Sequence, residues 1–251
     1  MLALAVTGKL SGRVAVVTGG ASGIGESISK LFANEGATVV IMDRDIERAR
    51  ALAATIKAVA LECDVSDESD VKRAFESARD KAGGHVEILV NNAGINTASE
   101  LCDMPTDLWD DMIRTNLRSV FLCTREVLPA MKEKRYGRVI NLASQLGHKG
   151  APELVHYCAA KAGVLGFTRA LAYEVAAFNI TVNAIAPGPV DTPLLRGLPQ
   201  AWLDMKFQEL PIGRPATPDE IAPTALLLAS EIDGAYYLGA SMNINGGDYM
   251  F

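Results

Sequence analysis

Ser144, Tyr157 and Lys161 lie within the stretch SQLGHKGAPELVHYCAAK, with a loop after the serine and one helical turn between the tyrosine and the lysine. Residues at i and i+4 share a helix face, so the Lys161 ammonium can stand beside the Tyr157 phenol. A neighbouring cation favours the tyrosinate. A free phenol titrates near ~10 and each unit of depression corresponds to about 1.4 kcal/mol, so a phenol buried beside an ammonium can work as an acid or a base. Ser144 is then placed to hold the reacting oxygen. The same YxxxK pattern also fits an ordinary amphipathic helix, and the surrounding elements have to decide between the two.

Val14 to Thr18 is a valine-rich run followed by GGASGIG and a helical pattern with Ile28, Leu31 and Phe32 on one face, which predicts strand, glycine turn and helix. The turn TGGASGIG has GxxxGxG spacing at Gly19, Gly23 and Gly25. Glycine allows backbone amides to approach a pyrophosphate, which a helix N-terminus then favours, so Gly19, Ser22, Gly23, Ile24 and Gly25 are candidate cofactor residues. Gly36 is placed to close the helix, and a second strand, Thr38 to Met42, ends at Asp43. Asp43 stands 18 residues past Gly25, near the ~20 expected for a carboxylate that binds adenosine ribose hydroxyls. It would repel a 2′-phosphate, and the turn has no basic residue, so NAD is expected over NADP; Arg44 is the residue that could accommodate the phosphate. A strand-end aspartate capping the next helix is the other reading of Asp43.

A third strand, Ala58 to Cys63, leads to Asp64 and Val65, candidates for the adenine site at the carboxyl edge of a parallel sheet. The fourth, Val86 to Val90, runs into NNAG, where Asn92, Ala93 and Gly94 either line a cofactor groove or form a structural bend. Thr106 to Arg135 reads as one long helical pattern with Asn116 in phase among apolar positions, where a polar side chain needs partners. Val139 to Ala143 is the fifth strand and delivers Ser144 to the same edge. The helix continuing to Phe178 is apolar all round, as in a core or a subunit contact. Ile180 to Ile185 is the sixth strand, 189 to 215 reads as a long irregular lid, Pro218 to Ala229 as helix, and Ser241 to Ile244 as the last strand. The alternation predicts an α/β fold, one doubly wound Rossmann-type domain over residues 1–251 with a parallel sheet of about seven strands.

The 251 residues are 49% hydrophobic, enough for a sizeable core, and the net charge of −6 with no dense basic tract argues against nucleic acid or an anionic membrane surface. No apolar run approaches the ~20 residues of a membrane helix, and the leading MLALAV reads as an extension rather than a signal. Four cysteines at 63, 102, 123 and 158, without a CxxC pair, fit free thiols in the cytoplasm better than disulfides or zinc, and no metal site is expected.

With TGGASGIG, NNAG, Asn116, Ser144, YCAAK and PGPVDT in this order over nearly the whole chain, the sequence resembles the short-chain dehydrogenase/reductase family. The resemblance implies that Tyr157 donates or accepts the proton, Ser144 binds the substrate oxygen, and Lys161 lowers the tyrosine pKa and holds the nicotinamide ribose. It also implies that Asn116 supports a water relay, that Thr192 contacts the nicotinamide carboxamide, and that Pro187, Gly188 and Val190 lie beside it. The terminal NGGDYM and Arg135 look like those of bacterial beta-ketoacyl-acyl carrier protein reductases, which usually take NADPH and have a second basic residue where this chain has Phe178. The VHY before the active-site helix looks like that of sugar and polyol dehydrogenases, in which case His148 and His156 face the substrate; solvated loop histidines are the alternative. The leading expectation is an NAD-dependent enzyme interconverting a secondary alcohol and a ketone on a sugar, polyol or hydroxy acid. Acyl-carrier reduction and a non-catalytic dinucleotide sensor are the rivals. The apolar helices and the Tyr249, Met250 and Phe251 tail, together with the resemblance, imply a homotetramer.

Overall fold

Valine-rich runs without polar alternation are what a parallel sheet covered on both faces requires, and the computed structural model builds its sheet from them. It describes residues 8–197 and 200–250; the MLALAV extension and Phe251 lie outside the described residues. The chain runs β1 (Val14–Thr18), α1 (Gly23–Asn34), β2 (Thr38–Asp43), α2 (Ile46–Ile56), β3 (Val59–Glu62), α3 (Glu68–Ala82) and β4 (Ile88–Asn91). After β4 come α4 (Thr106–Ile113), α5 (Ser119–Lys134), β5 (Gly137–Leu142), α6 (Val155–Val175) and β6 (Ile180–Pro187). The last part holds α7 (Pro193–Arg196), α8 (Gln200–Glu209), α9 (Pro218–Ala229) and β7 (Ser241–Ile244).

All seven strands are parallel, in the order β3-β2-β1-β4-β5-β6-β7. The order reverses between β1 and β4, which opens a crevice at the carboxyl edge there. One face of the sheet packs on α3, α5 and α6 through Phe75, Val127, Met131 and Val175, and the other on α1, α2 and α9 through Ile28, Phe32, Leu52 and Leu228. Phe32 has no exposed surface, and burying such a side chain stabilises the fold by about 1.5–3 kcal/mol. Asp45, not Asp43, caps α2 by accepting from the Arg48 amide at 3.0 Å, and Asp67 caps α3 in the same way at 2.9 Å from Asp70.

Three expectations are corrected. The single helix expected from Thr106 to Arg135 is divided by a π turn at Arg114–Arg118, whose extra residue per turn brings Asn116 inward. The segment 189–215 carries two helices, α7 and α8, and its base is pinched by a bridge between Val190 and Ala216. The apolar helix expected to reach Phe178 stops at Val175, as α6, and a 3₁₀ turn at Ala176–Phe178 completes the segment.

Candidate active site

Asn92 organises the crevice between β1 and β4. Its Nδ2 donates to the carbonyls of Thr18 at 3.0 Å and Gly19 at 2.9 Å, while the Thr18 hydroxyl accepts from the amides of Asn92 and Ala93. The two strand ends are therefore tied where the glycine turn begins. Gly19 and Gly23 have φ of 59° and 53°, and a Cβ on Gly23 would stand 3.0 Å from Thr192 Cγ2, closing the gap between the turn and the segment that leads into α7. Gly25 does not line the cleft; it lies beneath the turn, where a Cβ would fall 2.2 Å from the Gly19 carbonyl oxygen. The turn, the α1 N-terminus and the bare glycine backbone form a cradle suited to a pyrophosphate.

Asp43 reaches the same turn. One carboxylate oxygen accepts from the Ala21 amide at 3.0 Å and the other from Asp45 at 3.0 Å, leaving acceptor capacity on both for a donor in the cleft. Asp64 binds Ser66 through Oδ1 and, with Val65, lines the far end of the cleft. The cleft encloses about 680 Å³, within the range of small-molecule sites.

β5 delivers Ser144 to its other half. The Ser144 hydroxyl accepts from the Leu146 amide at 3.1 Å and starts a 3₁₀ turn, Gln145–Gly147. That turn sits directly on α6, because a Cβ on Gly147 would come within 2.9 Å of the Lys161 backbone. The close approach brings Ser144 to Tyr157 and Lys161. Lys161 is buried, and its Nζ donates to the Leu142 carbonyl at 2.7 Å and lies 5.7 Å from the Tyr157 ring centroid. Burial pushes the Tyr157 phenol up to about 12, with the Ser144 hydroxyl acting in the opposite direction, and pushes the Lys161 ammonium down to about 8. Loss of hydration disfavours the charged form of both groups, while the Lys161 ammonium is held by the Leu142 carbonyl.

Asn116 is fully buried and does not line the cleft. Its Oδ1 accepts from Ile95 N and its Nδ2 donates to Ile95 O, both at 2.8 Å, so it fixes the backbone behind Gly94. Pro187, Gly188, Val190 and Thr192 line the wall opposite, with Thr192 capping α7. Neither His148 nor His156 lines the cleft. One residue before Tyr157 is about 100° around the helix, so His156 faces inward and bonds Thr97 at 2.9 Å. His148 bonds Ser241 and stacks on Tyr249. Arg135 donates to the Ala177 carbonyl and lies with Lys132 over the Phe178 ring on the surface.

The sequence reading missed Gln145, Lys149 and Lys206, which line the same cleft as Ser144 and Tyr157. Lys149 and Lys206 meet on Asp248. Burial would raise the Asp248 carboxyl, but the hydrogen bonds from the two lysines outweigh it and hold the group below the usual carboxylate range. No local motif marks this set, because its members come from three separate segments.

Residues 13–201 match the family model for short chain dehydrogenases. A 3-oxoacyl-[acyl-carrier-protein] reductase of Pseudomonas aeruginosa is 41% identical over 96% of this chain and 99% of its own length. Reductases with the same name from Thermotoga maritima and Escherichia coli are 38% and 39% identical, each over 95% of this chain and 98% of the relative.

Proposed function

Because the chain belongs to the short-chain dehydrogenase family, we propose that it interconverts a secondary alcohol and a ketone with NAD(H), using Tyr157 to move the proton. The observation that carries this reading is the meeting of Ser144, Tyr157 and Lys161 on the cleft that also holds the glycine turn. When bound, the reduced nicotinamide supplies a hydride to the carbonyl carbon. Ser144 orients the carbonyl oxygen, Tyr157 gives that oxygen its proton as negative charge builds, and the Lys161 ammonium favours the tyrosinate left behind. The reverse sequence oxidises the alcohol. Gly19, Ser22, Gly23 and Ile24 cradle the pyrophosphate, Asp43 takes the ribose hydroxyls, and Asp64 and Val65 flank the adenine. Asn92, Ala93 and Gly94 form one wall, and Pro187, Gly188, Val190 and Thr192 the nicotinamide side, under a lid at 189–215. Asn116 acts through the Ile95 backbone as a positioning residue. The carboxylate of Asp43 and the absence of a basic side chain in the turn support NAD over NADP. Four free thiols suit the cytoplasm.

The relatives' names favour a 3-oxoacyl group as substrate over a sugar or polyol. A second reading, a short hydroxy acid, is favoured by Lys149 and Lys206 at the substrate end of the cleft. The test is cofactor absorbance with NADH and NADPH against 3-oxoacyl thioesters, oxo acids, and keto forms of sugars and polyols. Turnover of a 3-oxoacyl or oxo-acid substrate, faster with NADH, is the expected result. Turnover confined to sugars, or faster with NADPH, would contradict it.

A further inference from the structure

The substrate end of the cleft carries a charge arrangement that the Ser144, Tyr157 and Lys161 chemistry does not use. Lys149, from the loop after Ser144, and Lys206, from α8, both direct their ammoniums at Asp248 Oδ1, at 2.8 Å and 2.7 Å. The other carboxylate oxygen accepts from the Gln145 amide. The Lys206 and Asp248 side chains are only 9% and 5% exposed. Among these groups there are two positive charges and one negative. Glu209 also lines the cleft and approaches Lys206 at 3.4 Å, but its side chain is 58% exposed against 28% for Lys149, so water screens its charge more than theirs. Around the buried Lys206 and Asp248 side chains, a substrate anion would offset the positive charge that Asp248 leaves unbalanced.

Gln145 points the same way. It is 3% exposed, and with Nε2 committed to Asp248 its Oε1 has no hydrogen-bond partner. An orphan acceptor next in sequence to Ser144 suits a hydroxyl donor on the bound molecule. Gln145, Lys149 and Lys206 line the same cleft as Ser144 and Tyr157.

We propose that Lys149 and Lys206 form a subsite for a substrate carboxylate, so that the substrate is a short hydroxy or oxo acid bearing a free acid group. Asp248 positions the two ammoniums, and the substrate carboxylate takes up the positive charge left over. The proposal rests on the alcohol and ketone chemistry above only for which group reacts. A purely mechanical role, with Asp248 latching α8 to the body of the protein, would make the same three residues equally necessary for every ligand.

Calorimetric titration separates the two roles. Short hydroxy acids, 3-hydroxybutyrate first, are each compared with their own uncharged amide, with NADH present so that they bind without reacting. Wild type is expected to bind the acid roughly tenfold or more tightly than the amide, the scale of one charge-assisted hydrogen bond. Lys149→Met and Lys206→Met should remove that preference while amide affinity holds. Asp248→Asn, which keeps an oxygen to accept from the ammoniums but removes the internal negative charge, should tighten acid binding, a direction that misfolding cannot produce. Equal affinity for acid and amide in wild type, binding of neither, or a common loss of both ligands in all three variants would overturn the subsite. Turnover is read separately with NAD: acid-selective binding without turnover would sink the reaction proposed above and leave the subsite standing.

Discussion

Tyr157 and Lys161 are both shifted by burial, in opposite directions, and this sets how the reaction should respond to pH. With its phenol near 12, Tyr157 stays protonated through the ordinary range and is ready to donate. Lys161, near 8, loses its charge as pH rises through that value, and the tyrosinate then loses its stabilising cation. Ketone reduction should therefore hold steady below about pH 8 and decline above it, as a pH profile of kcat would record; a flat alkaline limb would contradict this. The sequence revealed these two residues because their spacing on one helix fixes their relation. It did not reveal the direction of the phenol shift, which comes from burial that only the tertiary fold creates. Lys149, Lys206 and Asp248 were invisible for a related reason: each is an ordinary charged residue until the tertiary fold brings the three together.

At the level of elements, close backbone contacts do the positioning. Gly25 lets α1 begin directly beneath Gly19, and Gly147 lets the turn after Ser144 rest on α6. Gly25→Ala would place a Cβ 2.2 Å from the Gly19 carbonyl oxygen and 2.5 Å from Asn92 Nδ2, so the turn must move. Overpacking of this kind costs about 1–3 kcal/mol. The variant should show a lowered Tm and markedly weaker NAD binding, measured by calorimetric titration; unchanged affinity would mean that the turn does not form the cradle. Strand, turn and helix were legible here because valine runs and glycines are local signals. The π turn at Arg114–Arg118 was not, since apolar periodicity continues across it and only the pairing of Asn116 with Ile95 reveals the extra residue. The helices within 189–215 were missed because α7 has only four residues and α8 interrupts its apolar positions with Asp204, Lys206 and Gln208.

For the whole molecule, parallel order and both apolar layers follow from the alternation of strand and helix, while the surface raises the question of assembly. No described helix is long and apolar enough to cross a membrane. The outer face of α6 combines the exposed small residues Ala159, Ala162, Gly166 and Ala170 with Tyr173, which is 91% exposed. Phe121 of α5 and Met250 near the end of the chain are also exposed. Small residues permit close helix pairing and the exposed aromatics supply apolar area, so copies of this chain should associate through α5 and α6 and again through the C-terminal patch. Light scattering at micromolar concentration should give four times the mass of one chain. The mass of a single chain would show that these faces stay in water.

In the proposed reaction the Tyr157 hydroxyl carries the proton of a nicotinamide-linked step, and Tyr157→Phe removes that hydroxyl with almost no change in volume. Steady-state rates on a substrate that the wild type turns over, paired with a direct titration of NAD, test it in one preparation. The expected result is a fall in kcat of about 100- to 10,000-fold, the usual contribution of a general acid, with NAD affinity retained. A variant that keeps near-normal kcat while binding NAD normally would contradict it.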